Sequence, residues 1–112
     1  MKLTSLNNLP EQGVSHNPEI KKKVIIQKGE IPQLMNFSSA TFTPGQSVET
    51  HAHNTMFEVY HIQKGKALFT VEGKELILNV GDTITIEPGE QHAQANPFDE
   101  DTTWLYFGIA TD

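Results

Sequence analysis

Apolar and polar residues alternate in short runs along most of this chain, and no long amphipathic helix interrupts them. Leu76, Leu78 and Val80 interleave with Ile77 and Asn79, while Ile84 and Ile86 interleave with threonines and Glu87. A period of two sends alternate side chains to opposite faces of a strand. The pattern predicts strands over 23–27, 35–43, 47–53, 57–63, 67–71, 75–79, 83–87, 92–96 and 103–109. Turn signals separate them: Pro44-Gly45, Lys64-Gly65, Gly73-Lys74, Gly81-Asp82, Pro88-Gly89 and Asn96-Pro97. Strands this short and this closely spaced argue for an all-β sandwich or barrel. The run WLYFGI at 104–109 is apolar on both faces. It suits a strand covered by the barrel interior on one side and a partner subunit on the other, which predicts a homodimer.

Residues 1–20 lack this periodicity and read as an irregular N-terminal arm ahead of a barrel domain at 21–112. Within the arm, Asn17 is placed to cap a short helical turn with Pro18 in its first position. With little to fold upon alone, the arm is expected to reach across to a partner's sheet.

Composition narrows the function classes. A chain of 112 residues supports one core and one domain. No run approaches the roughly 20 apolar residues of a membrane helix, and the first residues lack the apolar core of a signal peptide, so a cytoplasmic protein is expected. The net charge of −6 disfavours nucleic acid and anionic membrane as partners and leaves a small molecule. Lys21, Lys22 and Lys23 form a basic triplet that reads as a solvated strand edge. Without cysteine there is no disulfide and no thiolate ligand, so a transition metal must be held by imidazole and carboxylate. All eight basic residues are lysine. Arginine is the usual bidentate clamp for a carboxylate, and its absence argues against a strongly anionic substrate.

The candidate chemistry lies in two stretches. The first is G-x5-H-x-H-x4-E-x6-G over Gly45, His51, His53, Glu58 and Gly65; the second, after fifteen residues, is GDTITIEPGEQHAQAN from Gly81 to Asn96. His51 and His53 are two apart and share a strand face. Glu58 has the wrong parity to continue that strand, so a turn near Asn54-Thr55 must bring it inward, in step with Tyr60 and Ile62. His92 follows the Pro88-Gly89 turn and can enter from another strand. Such a nitrogen-rich set without thiolates favours Mn, Fe, Co, Ni, Cu or Zn over Mg or Ca.

Together the two stretches closely resemble the paired motifs of the cupin superfamily, over about half of the chain. The resemblance implies a double-stranded β-helix, or jelly roll, with one divalent transition metal per chain on His51, His53, Glu58 and His92. Glu87 stands where the second motif usually has proline, with Pro88 displaced by one, and Glu87 is expected to face solvent. Proteins with this ligand set include dioxygenases, decarboxylases, isomerases, cyclases and lyases. Members that hold a substrate carboxylate with arginine, such as oxalate decarboxylase or cysteine dioxygenase, fit less well. The resemblance then favours a dioxygenase-type metalloenzyme for a neutral or aromatic substrate, with Glu58 as ligand and catalytic base. The alternatives are a non-catalytic ligand-binding or sensing barrel and a metal-dependent isomerase or lyase. Met35, Phe37, Phe42, Met56, Phe98, Trp104 and Tyr106 are available to line the pocket, and Tyr60 and Gln94 share parity with the ligands. His16 and His61 lie outside the pattern and are expected not to be ligands.

Overall fold

The period-two runs become nine strands in the computed structural model, which describes residues 1–112. They are β1 (Gln12–Val14), β2 (Asn17–Ile26), β3 (Phe37–Phe42), β4 (Met56–Lys64), β5 (Ala67–Val71), β6 (Lys74–Leu78), β7 (Thr83–Ile86), β8 (His92–Ala95) and β9 (Thr102–Ala110). All pairings are antiparallel. A six-stranded sheet has the order β1-β2-β3-β9-β4-β7, and a three-stranded sheet has the order β6-β5-β8. Alternation puts one face of each sheet against the other, as a jelly roll requires. Ile20, Phe42, Ile62 and Trp104 of the larger sheet pack with Phe69 and Leu78 of the smaller. Trp104 is the keystone, with ring centroids 4.4 Å from Phe42 and 5.5 Å from Phe69. Each such buried side chain contributes about 1.5–3 kcal/mol from lost water contact. The helical content is a single 3-10 turn, and no helix is long and apolar enough to cross a membrane.

Two local expectations are corrected. The stretch 47–53 is not a continuous strand: it touches β8 through two isolated bridges, Ser47–Ala95 and His51–His92. Its backbone bonds are correspondingly sparse, with Val48 N donating to Gln94 O and His51 exchanging both bonds with His92. Nor is there a helical turn at Pro18. Asn17 Oδ1 does accept from Glu19 N at 3.1 Å, as a cap would, but the chain runs on extended as β2. Proline is tolerated because the β1–β2 pairing is irregular here, with a register shift between Gly13 and Val14. A Cβ on Gly13 would lie 2.6 Å from Pro18 O, so glycine permits the close approach. The N-terminal stretch thus enters the larger sheet earlier than an irregular arm would, with residues 12–14 in β1 and 17–20 opening β2.

Asn96 ties the motif to the fold. Its side chain is fully buried and donates to Phe42 O at 2.8 Å and Glu100 O at 2.7 Å, while Oδ1 accepts from Phe98 N. One residue thereby joins the end of β3, the end of β8 and the approach to β9.

Candidate metal centre

His51 sits on the bridge to β8, His53 follows it, Glu58 lies on β4 and His92 opens β8. The chain bends at Asn54-Thr55, and Glu58 then points inward with Tyr60 and Ile62, all three buried. One ligand atom from each of His51, His53, Glu58 and His92 falls within 4.8 Å of the others. His92 Nε2 stands 3.0 Å from Glu58 Oε1, and His53 Nε2 stands 3.4 Å from the same oxygen. Two donors at about 2.1 Å from one ion are about 3.0 Å apart when cis in an octahedron and about 3.4 Å apart in a tetrahedron. The two separations fall near these values, the shorter being also the His92–Glu58 hydrogen bond, so small movements would gather the four donors around one ion.

The outer hydrogen bonds orient the donors. His51 Nδ1 pairs with Glu49 O at 2.8 Å and His92 Nδ1 with Glu90 O at 2.9 Å. A carbonyl oxygen only accepts, so each Nδ1 carries a proton and Nε2 is the ring atom turned inward; at His92 that atom donates to Glu58 Oε1 in the metal-free protein and would have to give up this proton to bind a metal. Gln94 Nε2 donates to the Tyr60 hydroxyl, which donates in turn to Glu58 Oε1, both at 3.1 Å. These four residues and their bonding partners suit a divalent transition metal.

Electrostatics agree. Burial alone would raise the Glu58 carboxyl, but the His92 hydrogen bond, the charges of His53 and His92 and the Tyr60 hydroxyl outweigh it and hold it below its ordinary value. Burial opposes a proton on His92, yet the bonds to Glu58 and Glu90 raise it overall. His51 is lowered, first by burial and then by the imidazoles around it. Tyr60 is pushed well up by burial and the adjacent carboxylate, so it stays a phenol that donates. Burial likewise raises Tyr106 to about 12, and its ring stacks on Tyr60 with centroids 5.5 Å apart.

A cavity of about 220 Å³ opens from this cluster. Met35, Phe42, Met56, Trp104 and Tyr106 supply its apolar wall, and Tyr60 and Gln94 its polar floor. Phe37 and Phe98 do not line it: Phe37 packs edge-on against Phe107, and Phe98 lies beneath the Lys66 ammonium. His61 is exposed and bonds Thr83, away from the cavity, and Glu87 is exposed as expected. Two residues enter that the sequence reading set aside. His16, in the β1–β2 turn, stacks on His51 at 4.3 Å between centroids. Lys22 lines the cavity as well, so the absence of arginine does not leave it without a cation. The signal was available for Lys22, because it shares parity with Ile20 and Val24, both core residues. The turn at His16 carried no comparable signal.

Comparison with known proteins places the fold in a family. A family model described as "Cupin domain" matches residues 38–108. The chain is 33% identical over 69 residues to the "Oxalate-binding protein" of Thermotoga maritima, a stretch covering 62% of this chain and 57% of that protein. Over 75 residues it is 28% identical to an uncharacterized HTH-type transcriptional regulator of Escherichia coli, of which it spans 24%. Among solved structures, a predicted oxalate decarboxylase from Thermotoga maritima superposes with a TM-score of 0.90 at 24% identity, over 97% of this chain and 99% of that one. KdgF from Halomonas sp. superposes with a TM-score of 0.80 at 18% identity, over 96% and 94%. At these identities the structural likeness concerns the fold.

Proposed function

The chain belongs to the cupin domain family, and from that premise we propose that it is a mononuclear metalloenzyme of dioxygenase type acting on a small organic molecule. His51, His53, Glu58 and His92 are the proposed ligands of one divalent transition metal. The observation that carries this reading is that three members of the four-donor cluster, His51, His53 and Glu58, line a cavity that also presents Met35, Phe42, Met56, Trp104 and Tyr106. Open coordination positions toward such a cavity distinguish a reactive metal from a structural one. When bound, the metal supplies Lewis acidity and, for Fe, Mn, Co, Ni or Cu, redox chemistry.

The chain's own groups have distinct tasks. Glu58 is the proposed catalytic residue, accepting a substrate proton at its carboxylate. Tyr60 and Gln94 hold that carboxylate in place, and the depressed proton affinity of His51 keeps its nitrogen free. Met35, Met56, Trp104 and Tyr106 exclude water and fit a compact aromatic or enolisable body. The cavity is smaller than the roughly 300–1,000 Å³ of drug-sized pockets, which favours a substrate of modest size over a polycyclic one.

A second reading is non-catalytic capture of a small dicarboxylate, favoured by the 33% identity to a protein named for binding oxalate. One experiment separates the two. Metal-loaded protein is supplied with oxalate or with small enolisable ketones while dissolved oxygen and product are followed. Oxygen uptake matched by product formation supports the dioxygenase; stoichiometric recovery of unaltered oxalate supports the binder and excludes turnover of that ligand.

A homodimer fits the outer face of the larger sheet. Phe57 and Ile109 pair across β4 and β9, each 38% exposed, beside the half-buried Val59, Leu105 and Phe107. Sedimentation of wild type and Phe57→Glu tests it: the dimer predicts a shift to monomer in the variant, and an unchanged mass excludes this face.

A further inference from the structure

Lys22 is the least explained charge in the fold. On β2 it lies between Ile20 and Val24, which are 0% and 5% exposed, and a period of two puts all three on the inward face. Its neighbour across the ladder is Ala40, 2% exposed and part of the same cavity. Three other lysines of the N-terminal region each find an oxygen within the chain: Lys2 on Glu30, Lys21 on Pro18 O and Lys23 on Leu6 O. Lys22 makes no ion pair and donates no side-chain hydrogen bond. Lys22 is half-buried, so its ammonium stands at the cavity with no partner from the chain and is available to an anionic group. The only carboxylate lining the cavity, Glu58, is already engaged by His53, His92 and Tyr60.

Position within the sheet shows what partner would fit. The order β2-β3-β9-β4 separates the strands of Lys22 and Glu58 by three spacings, about 14 Å along the curved sheet, and the register Lys22–Ala40–Trp104–Ile62 also offsets Lys22 from Glu58 by four residues along β4. Ala40, Trp104 and Tyr106 line the wall between them. The cavity therefore has a ligand-donating end, an apolar middle and a cationic far end. We propose that Lys22 is a specificity-determining residue that receives the distal carboxylate of a short-chain 2-oxo or 2-hydroxy dicarboxylic acid, whose oxygen-donor end faces the histidine–glutamate cluster. This inference rests on the metal-site reading above. Oxalate is too short to reach both ends, so the chain differs in preference from a protein dedicated to oxalate. The β1–β2 hairpin that supplies Lys22 and His16 lies outside residues 38–108. It thus adds a recognition element to the motif-bearing barrel.

The test is calorimetric titration of metal-reconstituted wild type and Lys22→Met with 2-oxoglutarate, with 2-oxopentanoate and with oxalate. The second probe has the backbone of the first without its distal carboxylate. A charge-assisted hydrogen bond predicts that wild type prefers 2-oxoglutarate over 2-oxopentanoate by about tenfold or more. In Lys22→Met that preference is expected to vanish, with oxalate affinity unchanged within about twofold. Melting curves of Lys22→Met and Lys22→Gln establish that the barrel is intact, and agreement between the two variants excludes a packing artefact. Equal affinity for the matched pair in wild type overturns the proposal, as does a preference that survives in both variants. If oxalate binds and discrimination is absent, Lys22 is misassigned while the metal site stands. If the reconstituted protein holds no metal and binds none of the three, the underlying reading fails with it.

Discussion

Gly65 and Gly73 share a left-handed backbone, with φ of 71° and 78°, but stand in different surroundings. An L residue in this region costs about 1–2 kcal/mol wherever it is placed. A Cβ at Gly73 meets nothing within 4 Å, so Gly73→Ala should cost only that amount. A Cβ at Gly65 would overlap the Asp101 carbonyl oxygen and stand 3.1 Å from Thr102 Cα, both of them backbone. Thr102 is fully buried, and its Oγ1 donates to Lys64 O at 3.0 Å. Making room means moving the start of β9 and weakening that bond, which adds about 1–3 kcal/mol for the hydrogen bond and a similar amount for repacking. Gly65→Ala should therefore lose about 3 kcal/mol or more. The stiffening of the unfolded chain by alanine is common to both variants and drops out of the comparison. Urea unfolding at matched m-values reads the difference directly. In thermal melts each kcal/mol corresponds to about 4–8 °C for a domain near this size, so the variants should differ by about 10 °C. Equal losses would refute the close approach of the β4–β5 turn to β9.

The remaining predictions concern the buried polar groups. Asn96→Asp turns two donated bonds into a carboxylate facing the Phe42 and Glu100 carbonyls; it should cost about 3 kcal/mol or more, and a melting curve within about 1 kcal/mol of wild type would exclude those bonds. In metal-free protein, the depressed Glu58 carboxyl contributes stability above pH 4.5 that is lost as pH falls through its folded value. The raised His92 contributes fully below pH 6.5 and loses its share as pH rises through its own folded value. The stability gap between wild type and Glu58→Gln, both stripped with chelator, should thus be widest between these limits and narrow on either side; a gap independent of pH would show that the pair does not form. Because a bound metal displaces the His92 proton, metal affinity should weaken on acidification starting above the ordinary imidazole range, as a pH series of metal titrations would record.

The convergence of His51, His53, Glu58 and His92 was legible because it depends on parity and on turns. His51 and His53 share a face, and the bend at Asn54-Thr55 brings Glu58 inward; both follow from period two and turn chemistry. What escaped was decided by partners distant in sequence. The segment 47–53 has strand-like alternation, yet it joins β8 through two isolated bridges, at Ser47 and His51, and no continuous ladder forms. Asn17 forms the local bond of a helix cap, but pairing of β2 with β1 and β3 overrides it. Lys22 looked like one member of a solvated triplet, although its parity with Ile20 and Val24 already placed it inward. His16 reaches His51 only through the fold of the β1–β2 turn, which no local pattern encodes.

The central claim is that His51, His53, Glu58 and His92 form one metal site, and elemental analysis tests it most directly. Wild type and His92→Ala would be purified without chelators or a nickel column, then reconstituted in parallel with iron, manganese, cobalt, nickel, copper and zinc. The account predicts about one ion per chain in wild type and strong depletion in the folded variant, since a metal loses one of its few protein donors. Wild-type protein that takes up no metal under any condition, or a His92→Ala variant that retains full occupancy, would contradict it.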